Sequence, residues 1–256
     1  MANISGPGFI GEIDLYTTTT TVPSGYSVGQ LLFGPNGKYY RFGQVGAVAL
    51  VMGNMLQGSA IDTTYTNMVV GTAVTAANVT SGQDFIQITN GTATITSEQF
   101  LGGSLSIYTA GTIAIGDEYT ILGVSGTLTT GGALTVQLDR PLRAAVTTSA
   151  TVNMRRSPFS GVLQSIASTL TASCAGRAMT AAAASTATVS QYTFFQTHGV
   201  GSVLSDGTSI LVGSPVAVPS ATAGAVILGA AGLANVGQAM QAAASGKGIA
   251  VFLQVD

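Results

Sequence analysis

Leu134-Thr135-Val136-Gln137-Leu138 alternates apolar and polar side chains and then stops at a turn, and the chain repeats this device along its length. Phe85-Ile86-Gln87-Ile88, Ser104-Leu105-Ser106-Ile107-Tyr108 and Tyr119-Thr120-Ile121-Leu122 carry the same two-residue period, which belongs to strands with one buried face. Asn90-Gly91, Gly102-Gly103, Gly116-Asp117 and Gly131-Gly132 separate them, and such pairs turn a chain at little steric cost. No segment keeps a helical period beyond two turns. Residues 181–184 and 240–244 have high helix propensity, but Gly or Thr flanks each. With 34 glycines in 256 residues, the chain is restricted to short strands. The pattern predicts a mainly β fold: Gly/Thr-rich antiparallel β sandwich or barrel domains, an extended N-terminal arm and little helix.

Four segments follow from this punctuation. Residues 1–23 read as an arm. Gly6, Pro7, Gly8 and Gly11 interrupt any helix, and the run Thr17, Thr18, Thr19, Thr20 and Thr21 favours extended chain because β-branched residues lose rotamer freedom in helices. Fully extended, ~22 residues reach on the order of 70 Å, enough to cross a neighbouring subunit. Residues 24–60 read as a β hairpin unit: strands at 31–33 and 38–42 around the turn Gly34-Pro35-Asn36-Gly37, then a third strand at 47–52. Residues 61–156 form the central β domain. Arg155-Arg156-Ser157-Pro158-Phe159-Ser160-Gly161 marks a boundary, and 157–256 read as a C-terminal β domain. Its expected strands are 192–196, 202–204, 210–212, 225–228 and 249–255, with a turn at Asp206-Gly207. Whether it shares a core with 24–60 stays open at this level.

Charge is scarce. Asp, Glu, Lys and Arg make up 7% of the chain, against roughly a quarter in an ordinary soluble domain. Thr, Ser, Gly, Ala, Asn and Gln take their place. Such a surface repels its neighbours weakly and is buried without stripping water from ions. A hydrophobic content of 46% excludes global disorder. The net charge of −2 argues against nucleic acid as a partner. Arg140, Arg143, Arg155, Arg156 and Arg177 cluster in sequence, but no aromatic residues interleave with them as a single-strand platform requires; they read as single ion pairs at strand ends. The apolar run 221–236 is broken by Gly224, Gly229 and Gly232 and falls short of the ~20 residues of a bilayer span. With no secretory signal pattern at the N-terminus and a lone Cys174, the expectation is folding in a cytoplasm, with no membrane partner.

The chemistry-bearing residues do not assemble into a motif. Gly6-Pro7-Gly8-Phe9-Ile10-Gly11 matches G-x-G-x-x-G, yet no strand precedes it and no helix follows. Cys174 and His198 lack a third group to orient an imidazole and are too few for a zinc site. Cys174 reads as a small buried hydrophobe, and His198 as a hydrogen-bond donor at a strand-to-turn position on a surface or interface. Asp117-Glu118 point to opposite faces of a strand. Glu98 and Asp139 would be the carboxylates of a glycosidase pair, but the chain has no Trp for sugar stacking. Asn3, Asn78 and Asn90 begin chance N-x-S/T triplets. The aromatics Tyr39, Tyr40, Phe42, Phe159, Tyr192, Phe194 and Phe195 read as core and interface packing. The expectation is a protein without catalytic residues, cofactor or metal.

Several stretches in order resemble tailed-phage virion proteins of the capsid decoration, or cement, type. They are Gly37-Lys38-Tyr39-Tyr40-Arg41-Phe42 with Gly53-Asn54-Met55-Leu56-Gln57, then Leu138-Asp139-Arg140-Pro141-Leu142 and Ser157-Pro158-Phe159-Ser160-Gly161-Val162. Tyr192-Thr193-Phe194-Phe195-Gln196-Thr197-His198-Gly199, Val203-Leu204-Ser205-Asp206-Gly207-Thr208 and Val236-Gly237-Gln238-Ala239-Met240 follow. The resemblance implies a non-enzymatic protein on the outside of an icosahedral capsid that clamps adjacent capsomers. Its partners would be the major capsid protein and itself, as a homotrimer. Thr17, Thr18, Thr19, Thr20, Thr21, Arg155 and Arg156 are the expected capsid or subunit contacts, with the uncharged stretches buried and the charged middle facing solvent. The alternatives are another virion part (head fibre, tail tube or minor capsid component), a carbohydrate-binding β module, which needs an exposed aromatic platform, and an enzyme with paired carboxylates in one cleft.

Overall fold

The computed structural model describes residues 8–11, 14–60, 65–66, 68–69, 80–90, 95–96, 98–107, 116–126, 129–147, 150–167, 169–186, 188–206, 209–243 and 246–255. Residues 1–7, 12 and 13 of the arm, the N-x-S/T residues Asn3 and Asn78, Gly91, Tyr108, Gly207 and Ala244 lie outside this set. Among the described residues the strands in chain order are β1 (Gly8–Phe9), β2 (Leu31–Phe33), β3 (Tyr39–Gln44), β4 (Met55–Gln57), β5 (Met68–Val69) and β6 (Phe85–Thr89). Then come β7 (Ser104–Ile107), β8 (Glu118–Gly126), β9 (Ala133–Leu138), β10 (Thr151–Arg155), β11 (Leu163–Gln164) and β12 (Cys174–Ala178). The last are β13 (Tyr192–Leu204), β14 (Pro215–Val218), β15 (Ile227–Leu228), β16 (Ala234–Ala239) and β17 (Gly248–Gln254). Short 3-10 turns at Asp14–Tyr16 and Pro35–Gly37 are the helical elements among them. The mainly β, antiparallel expectation therefore holds.

The chain divides into two compact units, one built from residues up to 60 and again from 158 onward, the other from 61–157. The smaller unit is an insertion in the larger. A Cβ on Gly58 would lie 2.8 Å from the Pro158 carbonyl oxygen, so the chain leaves and re-enters the larger unit at one place. The hairpin region and the C-terminal region thus share cores: Met55 packs with Val203, Val236 and Leu253, and Leu56 with Val162 and Phe195.

In the inserted unit the strands run in the order β5-β10-β7-β8-β9-β6, each neighbouring pair antiparallel. The alternating residues expected to face inward do so: Ile86 and Ile88, Leu105 and Ile107, Leu134, Val136 and Leu138 are all buried in one cluster with Val152 and Met154. A sheet whose six strands feed a single core must curve around it. It stays open, since β5 and β6 end the hydrogen-bonded path. A bulge between Ile121 and Gly123 shifts the alternation, so that Ile121 and Val124 both reach the core.

The larger unit is organised on β13. Its sheet runs β1-β2-β3-β13-β17-β16-β14-β15, with β4, β11 and β12 branching from it. The first half of β13 pairs with β3 and β12, the second half with β17. Tyr192 and Phe194 enter one core cluster, Phe195 a second and Val203 a third. The strands expected at 192–196 and 202–204 are thus one continuous strand.

Three further expectations are corrected. Residues 47–52 do not form a strand: Leu50 alone bridges Ala182, and Val48, Val51 and Met52 are exposed. The third strand is β4, whose residues are buried without any alternation to signal it. Residues 210–212 make a single bridge, Ile210 to Ala243, followed by a turn, and the helix-prone runs near 182 and 243 are likewise single bridges. The arm is seated on its own domain. Ile10 and Leu15 are buried with Tyr40, Phe42 and Tyr192. Thr19 and Tyr192 exchange backbone hydrogen bonds of 3.0 and 2.8 Å. Apolar residues spaced among the arm's glycines anchor it, because burying them outweighs leaving the chain free.

Two outcomes are expected. Leu15→Ala should lower unfolding free energy by about 2–4 kcal/mol, as a buried cavity does, measured by denaturant titration; a free arm would show no change. Replacing 61–157 by a short Gly-Ser linker should leave the larger unit with a cooperative melt and a β-type circular dichroism spectrum.

Candidate functional site

The outer face of the large sheet is set by a bulge in β13. Gln196 lies opposite Tyr40, and His198 lies opposite the adjacent Tyr39, so β13 holds one extra residue. Before the bulge residues 192–197 are buried on both faces; after it burial alternates, with Val200 and Ser202 exposed and Gly199, Gly201 and Val203 buried. The extra residue is held from inside. Gln196 Nε2 donates to the carbonyls of His198, Gly199 and Val200 at 3.1, 3.2 and 3.1 Å. Its Oε1 accepts a 2.8 Å bond from Arg177 Nη1. Gly199 takes φ +87° and packs against Lys38, a conformation that any larger residue would adopt under strain. Bulges re-aim side chains, and this one turns His198 and Val200 outward.

Facing outward, His198 joins a row of rings that crosses five strands. Phe9 lies 6.1 Å from Phe33 between centroids, Phe33 lies 5.1 Å from Tyr39, Tyr39 4.7 Å from His198, and His198 5.1 Å from Phe252. Register explains the row: Phe9 pairs with Phe33, Phe33 with Tyr39, Tyr39 with His198, and Phe252 faces Val200. The band continues past the rings. Val200 is 41% exposed, Met240 52%, and Leu211 and Val212 67% each. Gln238 faces Phe252 across β16 and β17, and its amide donates to the Gly213 carbonyl at 2.8 Å, which draws the 211–213 turn alongside the band. The strands bearing the rings and Gln238 hold one charged residue, Arg41. Its Nη1 donates to the Gly29 carbonyl at 2.9 Å and its guanidinium lies over the Phe159 ring.

Sugar binding needs open ring faces. Here Tyr39 and His198 stack at 22° on one another, and Phe33 and Phe252 meet their neighbours edge to face. The row offers mainly ring edges and aliphatic side chains, a surface suited to protein contact. No sequence signal marked it, since Phe9, Phe33 and Phe252 come from three distant segments. His198 is correspondingly not a turn residue but a mid-strand member of the stack.

The remaining candidates stand apart from one another. Cys174 Sγ donates to the Leu56 carbonyl at 3.2 Å, and burial pushes its thiol up to about 11, so it is protonated and unreactive at neutral pH. Asp117 pairs with Arg143 at 3.0 Å and accepts from Tyr119 Oη. Asp139 Oδ1 accepts the Thr120 amide at 2.9 Å, while Arg140 donates to the Glu118 carbonyl and lies over the Tyr119 ring. Asp84, Glu98, Glu118 and Asp139 are exposed. Among the described residues no His, Cys, Asp and Glu cluster fit to hold a metal occurs. Arg155 is exposed at the end of β10, and Arg156 is half-buried with an unpartnered Nε. Both lie beside the boundary in the inserted unit, whereas the threonine run belongs to the larger one. Thr17, Thr18, Thr20 and Thr21 are exposed and Thr19 half-buried. The Thr17 carbonyl accepts Thr193 Oγ1 at 3.0 Å, and the Thr17 and Thr19 hydroxyls donate to the Asp14 and Thr21 carbonyls, so this run is tied to its own unit while its exposed side chains stay uncharged.

Compared with known proteins, the chain matches no family model, no curated protein and no solved structure.

Gln196→Ala would remove the donor shared by the His198, Gly199 and Val200 carbonyls and the acceptor of a guanidinium that burial already holds below its usual range. The expected loss is about 2–3 kcal/mol, read by denaturant titration. Tyrosine fluorescence should change as Tyr39 and His198 unstack.

Proposed function

We propose that this chain is a non-catalytic structural protein of a tailed-phage virion. It lies on the outside of the capsid against the major capsid protein and stabilises contacts between capsomers. The observation that carries the reading is the uncharged band from Phe9 through Tyr39, His198, Val200 and Phe252 to Met240 and Leu211. The resemblance in the sequence points the same way. Each large apolar side chain removed from water contributes about 1.5–3 kcal/mol. Association costs of roughly 4–15 kcal/mol offset much of that sum. One copy therefore binds modestly, and many copies on a repeating shell together reinforce it. The exposed threonines 17, 18, 20 and 21 lie in the same unit and supply uncharged contacts at low desolvation cost.

The test is binding to empty shells assembled from the major capsid protein of the same genome, with occupancy read by sedimentation and electron microscopy. Wild type should decorate the shell. Val200→Asp and Met240→Asp, both at exposed positions, should each lower occupancy at least tenfold with an unchanged melting temperature. A wild-type chain that forms isolated rings or tubes and ignores shells would favour a tail or fibre component instead.

A further inference from the structure

The aromatic row ends at Phe252 inside the sheet and at Phe9 on its edge. Phe33, Tyr39 and His198 each have a ring on either side. Phe9 has one neighbour, and is 89% exposed. It also sits on the terminal strand of the sheet path. β1 pairs in parallel with β2, and the Ile10 amide donates to the Phe33 carbonyl at 3.0 Å. Bonds of a parallel pair come from alternate residues. Gly8 and Ile10 therefore point their backbone groups at β2, and Phe9 turns both its N–H and its C=O toward the side on which no strand pairs with β1 among the described residues.

From this edge we infer that a second copy of this chain pairs with β1, antiparallel, about a two-fold axis through Phe9. In that arrangement the two Phe9 residues exchange both backbone hydrogen bonds, as a directly opposed antiparallel pair does. Their rings lie on the same face and close the row, giving one band that runs from Phe252 of one copy to Phe252 of the other. Self-pairing is favoured over another occupant because one residue type supplies donor, acceptor and ring to its own image. Charge permits it: residues 8–11 and 27–34 carry none, so two copies approach without like-charge repulsion. The usual guards of an open edge, a lysine or a bulge, are absent from Gly8–Phe9. A two-residue strand buries far less than the roughly 1,200 Å² of a stable interface. The pairing is accordingly weak in free solution and strengthened where copies are held side by side. It does not depend on the capsid reading, and its two-fold differs from the trimer that the family resemblance implies.

The test uses the full chain. Phe9→Cys places two thiols on α-carbons about 5.5 Å apart in such a pair, within the disulfide range of about 4.4–6.8 Å, and native Cys174 stays unreactive because of its raised pKa. Under diamide, Phe9→Cys should form a residue 9–residue 9 disulfide, identified by peptide mass mapping, at least tenfold faster than the exposed controls Val48→Cys and Met52→Cys. Sedimentation equilibrium at high micromolar concentration should show a monomer–dimer equilibrium in wild type, with an association constant reduced at least tenfold in Phe9→Asp. Equal cross-linking rates for Phe9→Cys and the controls, a strictly monomeric wild type, or a trimer that Phe9→Asp leaves intact would each overturn the proposal. If Phe9→Asp loses its native melting transition, the cysteine comparison decides alone.

Discussion

The larger unit depends on the side-chain amide of Gln196. β13 must serve two partners on opposite halves of its length, β12 beside its first half and β17 beside its second. Changing partners requires the strand to bend and its side chains to change phase, and the extra residue between Gln196 and His198 does both. An extra residue leaves carbonyls without ladder partners, which is costly in a buried strand. Gln196 Nε2 donates to the His198, Gly199 and Val200 carbonyls around the bulge, and Arg177 fixes the amide from behind. The outward turn of His198 and Val200, and so the continuity of the band, follows from that internal arrangement.

The two units use their surfaces differently. The inserted unit holds six acidic residues; among the described ones Asp84, Glu98, Glu118 and Asp139 are exposed and Asp117 pairs with Arg143. Its interior is a single core under a curved sheet, a conventional arrangement for a β domain that stands in water. The larger unit places its charge sparsely, and Phe9, Val200, Met240, Leu211 and Val212 among its exposed apolar residues line one band. An insertion whose ends meet at Gly58 and Pro158 can be carried without disturbing that sheet, because the chain closes behind it.

The strands legible in the sequence were those with one wet and one dry face. β6, β7 and β9 alternate cleanly, and their inward residues were correctly identified as apolar positions of period two. Short strands buried on both sides were not legible, whereas residues 192–196, equally buried, stood out by their aromatic side chains. β4 reads Met-Leu-Gln with all three residues buried, and β12 contains Gly176 at φ +113° and a polar Arg177. Conversely, 47–52 has strand-like composition but no partner strand along its length, so its side chains other than Leu50 remain largely exposed. The arm misled for a related reason: its glycines and threonines describe extended chain accurately, and whether extended chain lies free or docks depends on what Ile10 and Leu15 find beside them.

Local composition and periodicity thus determined the class of fold and the scarcity of charge, because these depend on neighbours within a few residues. The contact band belonged to the tertiary structure alone. Phe9, Phe33, Tyr39, His198 and Phe252 become neighbours only when β1, β2, β3, β13 and β17 are set side by side in register. Pairing between distant strands is fixed by the shared cores beneath them and by a bulge held by one buried amide, and neither leaves a mark in the linear order of residues.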